Sequence, residues 1–243
     1  MRNITVKWML MLSLALACSQ LVGGEESRIE SQDLPGVPEG INLGMSVSDL
    51  LKTRPKAEPF DLGSDLGEKP ALQPADLGKG SHVLLEEIKR GDLPSVAMYQ
   101  IRDGRCIALG IEDVYLREEF VNNRAERIRR FVTLLGPNYE KRLMRKGFKG
   151  VSYLAPVFLW KGEERSVALT VTSEYPGVTF EWGILQLNVW NKDAEDPETG
   201  FERDADLELL ATLFAPLEKE IRNARPPGTP AAEQVPAQPQ PGP

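Results

Sequence analysis

Val96-Ala-Met-Tyr-Gln-Ile-Arg-Asp-Gly-Arg-Cys-Ile-Ala-Leu-Gly-Ile111 is the stretch on which the fold turns. Asp103-Gly104 is a type I′ hairpin dipeptide, because both central positions of that turn need positive φ. Apolar residues alternate away from it in both directions. A two-residue loop pairs Ile101 with Cys106, Gln100 with Ile107, Met98 with Leu109 and Val96 with Ile111. On that register Val96, Met98, Ile107, Leu109 and Ile111 make the core face, interrupted by Gln100. Ala97, Tyr99, Ile101, Cys106, Ala108 and Gly110 make a smaller, half-apolar face.

A second hairpin turns at Gly162-Glu163 and pairs Lys161 with Glu164, Trp160 with Arg165, Phe158 with Val167 and Pro156 with Leu169. Its core face is Phe158, Trp160, Val167, Leu169 and Val171, and Arg165 falls opposite the Trp160 ring as a cation–π pair. A further strand, Val178 to Trp190, runs Phe180, Trp182, Ile184 and then Leu185, Leu187, Val189. That change of phase near Gly183 predicts a bulge.

Helices precede each set of strands. Ser46-Val-Ser-Asp-Leu-Leu51 opens a short one, capped by Ser46 or Ser48 and ended before Pro55. Phe120, Ile128, Phe131 and Leu135 keep helical spacing, and Gly136-Pro137 stops that segment. Leu207, Leu210, Phe214, Leu217 and Ile221 stripe a last helix, which Pro216 should kink or split. The expected fold class is α+β, with two helix-plus-antiparallel-meander units, a tandem duplication, and a C-terminal helix. The first unit covers 41–115, with a long loop at 61–80 marked by three Asp-Leu-Gly triplets. The second covers 116–192, followed by an acidic loop and helix at 193–224 and a disordered Pro-rich tail at 225–243.

Gly40-Ile-Asn-Leu-Gly-Met-Ser-Val-Ser-Asp-Leu-Leu51 resembles the Leu-Gly-Met-Ser/Thr helix opening of small bacterial envelope lipoproteins, among them the small lipoprotein of the outer-membrane β-barrel assembly machinery. Phe131-Val-Thr-Leu-Leu-Gly-Pro137 resembles the helix close of the same proteins, with Pro137 directly after Gly136, and Trp160 lies on a strand that follows. Tandem α+β units of this kind are similar to the β-lactamase inhibitor protein fold. The resemblance implies a fold and a compartment. The assembly role does not transfer, since no partner-binding residues match.

The N-terminus agrees with that compartment. Arg2 and Lys7 precede the apolar run Trp8 to Ala17, which is too short to span a bilayer, so 1–17 reads as an export signal. Leu14-Ala-Leu-Ala-Cys18 resembles a lipobox, which makes Cys18 the expected lipidation site. Ala15-Leu16-Ala17 also fits ordinary secretion, with Cys18 a plain thiol. Residues 18–40 then form a tether. The expected location is the membrane, facing the periplasm through a lipid anchor, or the periplasm itself if Cys18 is unmodified.

The 243 residues include 2 Cys and 1 His, with a net charge of −7. That excludes a disulfide-dense scaffold, a two-histidine mechanism and a strongly basic nucleic-acid binder. His82 beside Ser81 has no nucleophile elbow, and Gly-x-Ser-x-Gly is absent. Cys106 reads as a small buried residue. The acidic run from Asp193 to Asp206 lacks EF-hand register and reads as a solvated loop entering a helix. No catalytic residue, metal site or cofactor is expected.

Against this acidic background, Arg124 to Lys149 is basic. Arg127, Arg129, Arg130, Lys141, Arg142, Arg145, Lys146 and Lys149 are candidates for an anion-binding patch, with a solvated face as the alternative. Arg124 lies close to the apolar stripe and must snorkel or find a carboxylate. The acidic 193–208 stretch could neutralise the patch from within. The expectation is a non-enzymatic envelope lipoprotein or periplasmic module that binds a protein partner or an anionic envelope component. Two other readings are a secreted hydrolase, with carboxylates such as Glu86 and Glu87 brought together by folding, and an inhibitor of another enzyme.

Overall fold

A computed structural model describes residues 34–60, 74–90, 93–148, 151–172, 182–192, 194, 201–202 and 205–223. The export signal, Cys18, the tether up to residue 33, most of the 61–80 loop, Lys149, most of the 193–204 stretch and the tail lie outside those residues. Among the described residues no helix is long and apolar enough to cross a membrane.

The elements, in chain order, are α1 (Val47–Thr53), β1 (Glu58–Phe60), a 3₁₀ turn (Pro74–Gly78), β2 (Ser81–Arg90), β3 (Leu93–Arg102), β4 (Arg105–Leu116), α2 (Arg117–Leu135), β5 (Glu140–Phe148), β6 (Val151–Lys161), β7 (Arg165–Thr172), β8 (Trp182–Asn191) and α3 (Leu207–Asn223). The fold is α+β. The eight strands form one antiparallel sheet in the order β1-β2-β3-β4-β8-β7-β6-β5. A helix followed by a four-strand meander occurs twice, and the last strands of the two meanders meet at β4–β8. Within each meander, strands that follow one another in sequence pair as neighbours.

The main core lies between the sheet and the helices. Ser46 caps α1 by accepting from the Asp49 amide at 3.1 Å, which satisfies one of the first orphan donors. The segment ahead of it pairs with the first hairpin, through Gly44 N–H to Cys106 C=O at 2.7 Å and Val47 N–H to Gly104 C=O at 2.8 Å. Leu34, Ile41 and Leu43 are buried in this core, so folded structure includes the end of the 18–40 segment expected to be a tether. Leu77 is likewise fully buried, which removes the end of the 61–80 segment from the loop reading.

Asp103 and Gly104 have φ of 47° and 73°, and Ile101 pairs with Cys106 as expected. Beyond that pair the register departs from expectation. A bulge sets in between Gln100 and Ile101, so Tyr99 opposes Leu109 and Met98 opposes Gly110. One extra residue on β4 inverts the phase of everything past it. Ala97, Tyr99 and Ile101 therefore face the main core with Leu109 and Ile111, while Ile107 joins a second cluster on the reverse face. The face expected to be minor is the one that β3 turns to the main core, and Met98 is buried on the other.

The second hairpin has a four-residue loop, 162–165, with Gly162 N–H on Arg165 C=O at 2.9 Å and Lys161 opposite Ser166. Phe158 then opposes Leu169 and Trp160 opposes Val167. A shift of two leaves the face unchanged, so the five expected core residues are all in the main core. Trp160 does not meet Arg165 across the strands; its Nε1–H donates to the Gly136 carbonyl at 2.9 Å.

No bulge interrupts the described part of β8, whose pairing with β4 runs unbroken from Trp190 to Trp182. Gly183 lies in phase with Leu185, Leu187 and Val189. Its backbone is the seat of the Phe120 ring: a Cβ there would lie 2.2 Å from Phe120 Cγ. The gap in the alternation is a packing requirement. α2 ends as expected at Gly136, with φ of 89°. α3 carries Pro216 inside a single helix and starts at Asp206, whose carboxylate accepts from Glu208 N–H at 3.0 Å.

Gly183→Ala is expected to destabilise the fold by about 1–3 kcal/mol, the cost of overpacking a filled site. In a Phe120→Ala background the same substitution should be nearly neutral. Urea denaturation of the four chains of that cycle checks both outcomes.

Candidate functional site

The structure divides the basic run between two elements. Arg124, Arg127, Arg129 and Arg130 belong to α2, whereas Lys141, Arg142, Arg145 and Lys146 belong to edge strand β5. Most of these cations have carboxylates of their own. Arg124 makes two hydrogen bonds to Glu220 of α3, at 2.8 and 2.5 Å. Arg130 pairs with Glu126, Lys141 with Glu218, Arg142 with Glu140 and Arg145 with Glu202. Neutralisation from within therefore comes as much from α2 and β5 themselves, through Glu126 and Glu140, as from α3, through Glu220 and Glu218, and Glu202 is the contribution of the acidic stretch. Lys149 lies outside the described residues.

Arg127 differs from its neighbours. It stands between Arg124 and Arg130 on the same helical face, yet it makes no ion pair among the described residues. Its Nη1 donates to the Tyr115 hydroxyl at 2.5 Å, and the guanidinium carbon sits 4.3 Å from the centre of the Tyr115 ring. The head is held over the ring by a hydrogen bond and a cation–π contact. Beneath it is a cavity of about 210 Å³, between α2 and the helix side of the sheet. Ile111, Leu169, Leu185 and Leu187 make its floor, with Phe131 as a wall. Arg127, Arg130, Asp113 and Tyr115 supply the polar groups, and Pro35 and Gly36 of the N-terminal segment close one side. The floor follows from strand pairing, since Ile111 is opposite Leu187 and Leu187 opposite Leu169.

Lys146 is not a surface cation. Strand alternation turns it to the reverse face of the sheet, where it is 9% exposed. There its ammonium donates to the Gln186 amide oxygen at 2.5 Å. Burial pulls the Lys146 pKa down to about 8, against the opposing pull of Glu112. Burial likewise raises the Glu112 carboxyl above its ordinary value, against the Lys146 ammonium, and Asp113 pushes in the same direction as burial. Gln186 is paired with both Glu112 and Thr170 in the ladder, and the buried Thr170 hydroxyl has no hydrogen-bond partner. The row is a polar interior in which charge is costly.

Other sequence candidates are kept apart. Glu86 and Glu87 point to opposite faces of β2: Glu86 is buried against Arg54, at 2.8 and 2.7 Å, and against the Tyr99 hydroxyl at 2.9 Å, while Glu87 is exposed. The chain does not converge them. His82 Nε2 lies 2.6 Å from the Lys79 carbonyl in an exposed turn. Cys106 is buried, which pushes its thiol up to about 12, so it is no thiolate nucleophile. Among the described residues no group of three or more His, Cys, Asp or Glu could hold a metal ion.

No protein-family model, curated protein or solved structure matches the chain.

Lys146 makes a pH prediction. Its folded pKa lies below its ordinary value, so between about pH 8 and 10.5 the unfolded chain binds more protons and folding stability rises with pH. The slope cannot exceed about 1.4 kcal/mol per pH unit for one proton. Urea denaturation at stepped pH should show wild type gaining stability relative to Lys146→Met across this window, and parallel curves would contradict it.

Proposed function

We propose that this chain is a non-enzymatic module of the cell envelope, tethered to the membrane through acylated Cys18, that holds an anionic group in the cleft beneath α2. The observation that carries the reading is Arg127, a guanidinium held over Tyr115 at the edge of a cavity with an apolar floor, and without an ion pair among the described residues. A planar, permanently charged fork held in place is pre-organised for an oxyanion. The cations on either side already have partners, so an anion gains most at Arg127.

The N-terminal segment supports the tethering. Fifteen residues lie between Cys18 and Leu34, and the next two residues, Pro35 and Gly36, line the cleft. That spacer reaches at most about 55 Å when extended. An anchor at Cys18 would thus keep the cleft close to the bilayer and to whatever anionic components the envelope carries. Several acyl chains on one cysteine would make that anchoring stable.

Two measurements test the reading. Mass spectrometry of the mature N-terminus should find acylated Cys18 as the first residue; an unmodified cysteine would remove the anchor. Thermal unfolding in acetate or phosphate, against chloride at matched ionic strength, should show stabilisation of about 1 kcal/mol once the anion exceeds its Kd several-fold. Arg127→Gln should abolish that increment, while Arg142→Gln and Arg145→Gln, whose charges are already paired, should keep it. Stabilisation that survives in Arg127→Gln would contradict the cleft as the anion site.

A further inference from the structure

We infer that the cleft beneath α2 accepts a small monocarboxylate with an apolar body of ring or short-chain size, its carboxylate on Arg127 and its body on the leucine floor. This rests on the reading of the cleft as the anion site and adds the class of ligand.

Size limits the occupant first. A dry, apolar cavity of about 150 Å³ takes benzene, and this one has about 210 Å³. There is room for one ring, or for a chain of a few methylenes, together with a carboxylate. A bilayer acyl chain or a folded peptide segment is too large to be enclosed.

The distribution of polarity then orients it. Ile111, Leu169, Leu185 and Leu187 offer no hydrogen-bonding side chain, so an occupant that is polar throughout would lose its hydration without replacement. The polar groups gather at α2 and at the outer end of β4. Arg127 Nη1 is committed to the Tyr115 hydroxyl, and the guanidinium lies against the Tyr115 ring. A carboxylate matches the remaining edge of that fork in shape and charge. Arg124 and Arg130, three residues away on either side, are engaged with Glu220 and Glu126. One guanidinium is left for one anion.

The lining also limits the charge. One guanidinium balances one negative charge, and Asp113 in the same lining supplies no cation for a second. A monoanion is favoured over a dianionic phosphate monoester. The recognition pattern is therefore one delocalised negative charge joined to an apolar body.

Titration calorimetry of the full chain tests this with acetate, hexanoate, phenylacetate, hexanamide, phenyl phosphate and dihexanoyl phosphatidylglycerol. Hexanoate or phenylacetate should bind at least about tenfold tighter than acetate, because the added carbons leave water for the floor. Hexanamide should bind at least about tenfold weaker than hexanoate, and phenyl phosphate weaker than phenylacetate. Arg127→Gln should lose at least about tenfold for hexanoate. Arg142→Gln, which removes a charge already paired with Glu140 outside the cleft, should stay within about threefold of wild type. Equal binding of hexanamide and hexanoate, or tighter binding of the phosphatidylglycerol, overturns the inference. If acetate stabilises through Arg127 but hexanoate binds no better than acetate, the ligand class fails and the anion site stands. If Arg127→Gln changes neither acetate nor hexanoate binding, both fail.

Discussion

The Phe120 ring resting on the bare backbone of Gly183 fixes α2 against the centre of the sheet. It is the constraint on which the position of the cleft depends. Gly183 pairs with Tyr115, so the contact lies on the β4–β8 junction where the two meanders meet. Any side chain at 183 would lift the helix. With Phe120 seated, the helical repeat brings Arg124 one turn later and Arg127 two turns later along the same side. The first then reaches Glu220 on α3 and the second reaches Tyr115 on β4. Phe131, a further turn on, closes the cavity wall. Sheet, helix and site are thus linked through a missing Cβ.

The sheet has two buried faces, and they differ in chemistry. The helix side is apolar except at defined points, such as Glu86, which Arg54 and Tyr99 satisfy together. The reverse side mixes an apolar cluster around Val157, Leu159 and Trp190 with the row of Lys146, Gln186, Glu112 and Thr170. Buried ionisable groups of this kind cost stability unless they are paired. Lys146 has Gln186 as its close partner, and Glu112 acts on it through space.

Much of the fold was legible in the sequence because it rests on local signals. Asp103-Gly104 set a turn, Ser46 set a cap, Gly136 set a helix end, and the stripe on α2 named its buried side. Registers were less legible. A bulge beside the first turn is invisible to alternation counting, and it moved Tyr99 from the minor face to the core. The second turn was misplaced by two residues, which cost the pairs but not the faces. At Gly183 alternation was read as a bulge because the residue that completes the face there is Phe120, distant in sequence. β5 was the element least visible. In Glu-Lys-Arg-Leu-Met-Arg-Lys-Gly-Phe148 the cations outnumber the apolar residues, and only Leu143 and Met144 hint that both faces are buried. For that reason the sequence pattern alone groups Lys146 with the surface cations. Arg127 was recognised as one cation among eight. What distinguishes it is its place over Tyr115 at the cleft, and such a property belongs to tertiary placement.

The most direct measurement of the central claim is the chemical shift of the Arg127 side-chain Nε–H, followed by ¹H–¹⁵N NMR while a short carboxylate is added to the full chain. The account predicts a saturable shift at Arg127 with little change at Arg124 and Arg130, whose guanidiniums are already held by Glu220 and Glu126. A shift that appears instead at Arg142 or Arg145, or a featureless titration at Arg127, would contradict it.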